Sequence, residues 1–355
     1  MSTQPSSLPL LEIAKVILNE NSSSQSLHQA LDSFGSLCSQ ITGIIPDQTF
    51  SAWAEDSFLE NGVAINPQAA AHCITDYQRS IVFIRGVYAA LIHIQKTSDN
   101  TAIKILYAGC GPFATLLLPI LGMFHTDDLE VYLLDIHQKS LDSVRKLLTH
   151  FGLNQYRITL LQNDACTYRH PNNLHLIIAE TMQKSLEQEP QFAVTANLGP
   201  QLHEHGIFIP QNIEVQLCLA SLEYERDIVS HYQQIDHKAL VKKGKRHPLG
   251  TVLNLKPSFA AAQLKSAHYN PLTEKFELEP VKVSIPKIKE LNTFDALFLT
   301  HIKVFKHYQL DDYESEITLP LKCQTLTDLK AEAKHLISYQ LGNYPRFNID
   351  EDISN

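Results

Sequence analysis

The sequence predicts an α/β fold in which a doubly wound domain is preceded by a helical region and followed by an antiparallel, barrel-like β domain. Three patterns in the 355 residues indicate this: helical periodicity at the start, strand-like segments alternating with helical runs in the middle, and strand-like segments with few helices at the end. A chain of this length can bury two or three cores. We therefore expect domains at residues 1–63, 64–210 and 211–355.

The first part of the chain is predicted to be helical. Residues 8–19 and 27–41 have apolar side chains at three-to-four spacing, with a polar tract between them. They predict a helical hairpin that serves packing or dimerisation, and we expect a homodimer. Asn66 as N-cap and Pro67 at the first helical position then open a third predicted helix that reaches about residue 94.

The middle of the chain is predicted to form a parallel sheet. Its predicted strands are short, apolar and rich in β-forming residues: 104–108, 130–135, 158–162 and 174–179. Helical runs are expected between them, which is the pattern of a doubly wound, Rossmann-like sheet. Beyond residue 210, predicted strands follow one another with few helices: 214–220, 250–255, 281–285, 296–305 and 317–319. This pattern favours an antiparallel β domain.

Composition argues against several classes of function. The formal net charge of −9 disfavours nucleic acid binding, and the basic run 242–247 is expected to be a solvated loop. The six cysteines are scattered without a C-x-x-C pair, so we expect no metal site, no disulfide framework and a cytoplasmic location. No signal peptide is recognised, and the longest apolar stretch, 113–124, is too short to cross a membrane, so no membrane role is expected.

A cofactor site is predicted at the ends of three successive strands. Gly109, Cys110 and Gly111 follow the first strand, where glycines let backbone N–H groups approach a ligand. Asp135 ends the second strand, placed to accept ribose hydroxyls, and Asp164 follows the third. Taken alone, the glycine turn suits NAD as well as S-adenosyl-L-methionine, and either aspartate could simply cap a turn. A thiol chemistry for Cys110 is not expected.

Two acids follow the fourth predicted strand. Glu180 and Glu189 lie nine residues apart. Because a planar guanidinium donates parallel N–H bonds that carboxylates match, two acids from one loop would hold a guanidinium beside the cofactor. The alternative is structural: Glu180 as a polar strand end and Glu189 as an acid at a helix N-terminus.

Together these segments resemble the protein arginine methyltransferases. Residues 76–83 resemble the family's D-x-x-R-T helix motif, which implies that Arg79 holds the carboxylate of S-adenosyl-L-methionine. Residues 180–189 resemble the double-E loop, and its interval favours Glu189 over Glu187 as the second acid. Residues 202–210 are similar to the segment that closes the cofactor domain, so 64–210 is expected to be the methyltransferase domain.

The resemblance also implies a proton acceptor. Thr300-His301-Ile302-Lys303 resembles the family's Thr-His-Trp loop, in which the histidine pairs with the helix aspartate, here Asp76. An adenine contact for Asp164 is likewise implied. Ile302 stands where the family has tryptophan.

Departures from the family bear on the substrate. No aromatic Tyr-Phe-x-x-Tyr lid precedes Asp76, and the interval from Glu189 to His301 is shorter than the family's barrel with its dimerisation arm. Similar variants with a helical extension methylate free arginine in bacterial natural-product pathways. The sequence therefore predicts an S-adenosyl-L-methionine-dependent N-methyltransferase for the guanidino group of free L-arginine. A protein arginine N-methyltransferase is the main alternative, with an NAD-dependent oxidoreductase and a non-catalytic partner-binding module behind it.

Overall fold

The computed structural model describes residues 8–49, 55–97, 102–221, 223–225 and 244–352. Lys242 and Lys243 of the basic run lie outside these described residues. Within the described part of the chain, no helix is long and apolar enough to cross a lipid bilayer.

The N-terminal helical hairpin packs within the chain. Helix α1 is Leu8–Leu18 and α2 is Ser24–Thr42. Their apolar faces join the main hydrophobic core: α1 contacts the segment 118–123, and α2 contacts the helix at 138–150. The apolar faces of both helices are therefore buried by packing within the chain, as one of the two predicted roles requires. The homodimer stays a prediction.

The helix predicted to run unbroken from Asn66 is two helices. Asn66 caps α3 (Pro67–His72) by accepting hydrogen bonds from two following amides, and a 3-10 turn, Cys73–Thr75, ends it. Asp76 then begins α4 (Tyr77–Thr97) by accepting a hydrogen bond from the amide three residues on. The prediction of one helix was wrong because apolar periodicity continues across a second cap.

A parallel sheet forms the middle of the molecule. Its strands are β3 (Ile103–Ala108), β4 (Leu129–Asp135), β5 (Arg157–Gln162), β6 (Leu174–Ala179) and β7 (Leu202–Ile209). Their order is β5-β4-β3-β6-β7, and every neighbouring pair is parallel. The predicted α/β class is confirmed. Because the strand order reverses between β3 and β6, this pair is the topological switch point where such sheets bind ligands.

Fewer helices surround this sheet than the sequence predicts. Helix α5 (Gln138–His150) joins β4 to β5, and α6 (Gln191–Leu198) joins β6 to β7. The α-helix expected after the glycine turn is absent; a 3-10 helix, Leu118–Met123, stands there. Pro119 removes a backbone N–H from this segment, and Ala114 has a positive φ of 44°, so an α-helix cannot run through it.

Two antiparallel sheets make up the C-terminal part. The first contains β8 (Asn212–Ala220), β9 (Arg246–Leu255), β13 (Asp295–Phe305), β14 (Tyr308–Leu310) and β15 (Leu321–Lys322). The second contains β10 (His268–Asn270), β11 (Lys275–Glu277), β12 (Val281–Ser284), β16 (Lys334–Gln340) and β17 (Arg346–Glu351). Strand β9 contacts β12 and β16, which brings the sheets together.

Several features of the chain differ from the prediction. Residues predicted as the strand 317–319 form a 3-10 turn, Glu316–Thr318, because Ser315 makes a capping box with it. Helix α7 (Pro257–Lys265) was not predicted. Upstream, an unpredicted hairpin of β1 (Ser57–Leu59) and β2 (Gly62–Ala64) precedes α3.

The basic run contains a buried arginine, not only solvated charge. Arg246 begins β9 with 2% of its surface exposed. Its guanidinium bonds both carboxylate oxygens of Glu225, at 2.8 and 2.7 Å, and also pairs with Asp312. The expectation of a solvated loop was wrong here, because two carboxylates distant in sequence compensate the buried charge.

Candidate active site

A cavity of about 440 Å³ opens at the carboxyl ends of β3, β4, β5 and β6. Most of the predicted site residues line it: Arg79, Gly109, Cys110, Gly111, Asp135, Asp164, Glu180 and Glu189. Asp76, His301 and Glu187 are not among its lining residues. The cavity lies at the switch point of the sheet, which is where an open α/β sheet binds a ligand.

The glycine turn is bound tightly to the neighbouring strand. The amides of Gly109 and Cys110 both donate to the carbonyl of Leu134, at 2.9 and 3.0 Å. Gly109 has a φ of +67°, and a Cβ atom placed on it would lie 2.6 Å from Cγ2 of Thr181. Glycine is therefore required here both for the backbone conformation and for the close approach of the next loop.

The two aspartates are held by backbone N–H groups. Asp135, with 5% of its surface exposed, accepts hydrogen bonds from the amides of Gly111 at 2.9 Å and His137 at 2.8 Å. Asp164 accepts one from the amide of Cys166 at 2.8 Å. Each carboxylate oxygen has two lone pairs, so these bonds orient the groups and leave capacity for a ligand. The turn-capping and ligand-binding interpretations are thus compatible.

Arg79 and Glu180 form a buried ion pair. The guanidinium of Arg79 donates to Oε2 of Glu180, and their side chains are 11% and 5% exposed. The other oxygen, Oε1 of Glu180, is buried with no hydrogen-bond partner among the described residues. Burial raises the pKa of Glu180, and the charge of Arg79 offsets part of this effect. An unpaired buried acceptor is costly, so this oxygen is suited to accept from a ligand donor.

Glu189 lies in the same cavity with only 7% of its surface exposed. Burial and then the negative charge of Glu180 raise the pKa of Glu189 to about 8, although Arg79 and a hydrogen bond from Gln183 oppose this. Glu187 lies outside the lining, and its pKa is raised mainly by burial. Geometry therefore agrees with sequence spacing in placing Glu189 beside Glu180.

The loop between the two glutamates has a strained backbone. Ser185, Leu186 and Gln188 have φ values of 58°, 57° and 69°. Distant groups hold this conformation: Thr300 Oγ1 accepts from the Ser185 amide at 3.0 Å, and the Tyr339 hydroxyl donates to the Leu186 carbonyl at 2.6 Å. Such conformations cost about 1–3 kcal/mol each and persist only where the surroundings impose them. The C-terminal sheets thus fix the positions of both acids.

The predicted pairing of His301 with Asp76 is not found. His301 Nδ1 lies 3.2 Å from Asp311. Asp76 instead accepts from the Ser315 hydroxyl at 2.6 Å and from the Glu316 amide at 2.8 Å. The two residues are separated because the turn that follows β14, not the end of β13, reaches the start of α4.

Sequence reasoning therefore overlooked two residues that shape the site. Thr300 is fully buried and is the member of the Thr-His motif that contacts the double-glutamate loop. Ser315 supplies the hydroxyl to Asp76 and caps the turn that lines the cavity. A Ser-x-x-Thr capping box at 315–318 was a readable signal for the latter.

The β1–β2 hairpin covers one side of the cavity. Leu59 and Val63 are among its lining residues. The hairpin is attached at two points: the Val63 amide donates to the Gln188 carbonyl at 2.8 Å, and the Ser57 hydroxyl lies 3.1 Å from His137 Nε2. Within the described part of the chain, a short hairpin therefore forms this wall.

Neither a comparison with protein-family models nor one with curated proteins finds a match to this chain. Among solved structures, the chain is similar to PRMT1 of Trypanosoma brucei in its enzyme–prozyme heterotetrameric complex with AdoHcy, at 13% identity and a TM-score of 0.45, over 80% of this chain and 92% of that one. It is also similar to protein arginine methyltransferase 10 of Arabidopsis thaliana, at 13% identity and a TM-score of 0.47, over 76% and 86% of the two chains.

Proposed function

We propose that this chain is an S-adenosyl-L-methionine-dependent N-methyltransferase that acts on a guanidino group, with free L-arginine as its substrate. The observation that carries the proposal is the pair of buried carboxylates, Glu180 and Glu189, in one cavity with the strand-end residues that suit a nucleoside cofactor. Arg79 supplies one positive charge beside these two acids, so the second negative charge is left for a cationic ligand to compensate.

The residues around the glycine turn fit the proposed cofactor. Asp135 would accept the ribose hydroxyls, Asp164 the adenine amino group, and the turn at Gly109–Gly111 leaves room for a backbone-to-ligand approach. Arg79, which pairs with Glu180, lines the same cavity and would bind the cofactor carboxylate. When bound, S-adenosyl-L-methionine supplies an electrophilic methyl group on a sulfonium.

The two glutamates would position the substrate and polarise it. A guanidinium is a poor nucleophile because its charge is delocalised over three nitrogens. Glu180 and Glu189 on one side would concentrate that charge away from the nitrogen that faces the methyl group. Transfer forms an N–C bond and breaks the S–C bond, and the attacking nitrogen loses one proton. Glu189, whose pKa is raised to about 8, is suited to accept that proton at mildly alkaline pH, where its carboxylate is ionised.

Mass spectrometry of the products tests this function. The purified chain is incubated with S-adenosyl-L-methionine and, separately, L-arginine or a peptide with one internal arginine. We expect a gain of one methyl group on L-arginine, and we expect Glu180→Gln to lower turnover by about 100-fold or more, because the amide keeps the shape and loses the charge. Methylation of the peptide with equal or higher kcat/KM would support the protein arginine N-methyltransferase alternative. If neither L-arginine nor the peptide is methylated, the proposal is refuted.

A further inference from the structure

The cavity lining contains one pair of opposite charges beyond those assigned above. Its acidic and basic lining side chains are Arg79, Asp135, Asp164, Glu180, Lys184, Glu189 and Glu316, together with the imidazole of His137. The proposed cofactor would use Arg79 and the two aspartates, and the guanidinium would use Glu180 and Glu189. Lys184, Glu316 and His137 then remain. His137 already contacts Ser57 and Asp135 through its two ring nitrogens, which leaves Lys184 and Glu316.

These two side chains lie on adjoining turns. Lys184 begins the 3-10 turn Lys184–Leu186, Glu316 begins the 3-10 turn Glu316–Thr318, and the two turns pack against each other. Both side chains line the cavity, and Glu316 is exposed to solvent while Lys184 is half-buried. A cation and an anion therefore line the same cavity from two adjoining turns.

Neither charge is neutralised by a close ion pair. Within the described ranges, no carboxylate lies at ion-pair distance from the ammonium of Lys184. The Glu316 carboxylate is contacted by the amide of Gln48 at 3.5 Å, a weak hydrogen bond from another lining residue. Burial raises the pKa of Glu187 and the charge of Lys184 offsets part of this effect, but the described residues show no close ion pair between them, so Lys184 and Glu316 can both contact a ligand.

Their positions on the fold are fixed. The Ser185 amide, next to Lys184, is bound by Thr300, and the Glu316 amide is bound by Asp76 at 2.8 Å. A ligand therefore meets two charges whose backbones do not have to reorganise, which favours selective binding.

We infer that Lys184 and Glu316 bind the amino-acid end of the substrate, Lys184 the α-carboxylate and Glu316 the α-ammonium, so that the substrate class is a free α-amino acid with a guanidino side chain. This inference rests on the proposed function. A peptidyl arginine has an amide in place of each charged group, so it would leave both side chains without their partners. Two charge contacts at the amino-acid end of the substrate would also hold its guanidinium in position at Glu180.

The test compares substrates that lack one end each. Agmatine has no α-carboxylate, and 5-guanidinopentanoate has no α-ammonium. For the wild-type chain we expect kcat/KM for L-arginine to exceed that for either analogue by about 10- to 100-fold, as for the loss of a hydrogen bond to a charged group. Lys184→Met should lower kcat/KM for L-arginine by a similar factor and that for agmatine by less than about three-fold. Glu316→Gln should likewise lower kcat/KM for L-arginine by about 10- to 100-fold and that for 5-guanidinopentanoate by less than about three-fold.

Controls separate this inference from the function on which it rests. The matched controls are Lys265→Met and Glu290→Gln, which change the same residue types at exposed positions outside the cavity. Agmatine methylated as efficiently as L-arginine, or Lys184→Met lowering both substrates equally, would overturn the assignment and leave the guanidine site standing. If no guanidine is methylated, the proposed function fails. Calorimetry with S-adenosylhomocysteine then decides the assignment by itself: tighter binding of L-arginine than of agmatine, lost in Lys184→Met, supports it, and equal binding overturns it.

Discussion

The substitution Glu189→Gln tests the electrostatics of the cavity directly. A carboxyl group whose pKa is about 8 in the folded chain, against an ordinary value of 4.5, binds its proton more tightly when folded than when unfolded. Its contribution to stability is therefore fully present below about pH 4.5 and is lost as the pH rises through about 8. An amide cannot ionise, so Glu189→Gln removes this pH dependence.

The size of the effect follows from the two pKa values. The difference between 4.5 and about 8 corresponds to about 5 kcal/mol of differential interaction. Of this, about 3–4 kcal/mol is lost between about pH 5 and about pH 8, where both forms of the protein are measurable. The residue is only 7% exposed, so solvent screening removes little of this amount.

Urea unfolding of both proteins across this pH range is the assay. As the pH rises from about 5 to about 8, we expect the free energy of unfolding of Glu189→Gln to increase by about 3–4 kcal/mol relative to that of the wild type. Glu290→Gln, at an exposed position, should keep the wild-type slope. Parallel curves for the wild type and Glu189→Gln would refute the reasoning. In the wild type, kcat/KM for L-arginine should also rise with pH and level off above about 8, because the guanidinium binds the ionised carboxylate.

Five further substitutions have definite expected outcomes. Asp135→Asn and Asp164→Asn should each weaken S-adenosylhomocysteine binding by about 1–3 kcal/mol in calorimetry, because each alters an acceptor for a ligand donor; unchanged affinity in both contradicts the cofactor site. Gly109→Ala should cost about 1 kcal/mol or more in thermal unfolding and weaken cofactor binding, since its φ is positive. Asp76→Ala should lower the free energy of unfolding by about 2–4 kcal/mol, because it removes a helix cap and two further hydrogen bonds. His301→Gln should lower it by less than about 1 kcal/mol. A larger effect for His301→Gln than for Asp76→Ala would contradict these contacts and favour the predicted pairing of His301 with Asp76.

Local patterns explain why the parallel sheet could be predicted from the sequence. Strands such as β3 and β6 are apolar runs bounded by polar turns, and their ends carry the residues that line the cavity. Because parallel strands end at one edge of a sheet, Asp135, Glu180 and the glycine turn had to come together once that sheet was predicted. The grouping of the residues proposed to bind the cofactor and the guanidine could therefore be predicted from the sequence.

Long-range partners explain what the sequence did not reveal. Asp76 ends one helix and begins another because Ser315, 239 residues away, bonds its carboxylate. Arg246 can be buried because it forms ion pairs with Glu225 and Asp312. Neither contact leaves a pattern in the neighbouring sequence. The segment around Asp76 was therefore predicted to be a continuous helix, and the segment around Arg246 a solvated loop.

One turn links the two ends of the proposed reaction site. The segment 311–319 is anchored on one side by Asp312, which pairs with buried Arg246. On the other side Ser315 bonds Asp76, the cap of the helix that carries Arg79. Directly after the second anchor, Glu316 lines the cavity. The groups assigned here to the cofactor carboxylate and to the substrate ammonium therefore share one support, so a displacement of this turn would alter both binding sites together, although they face different molecules.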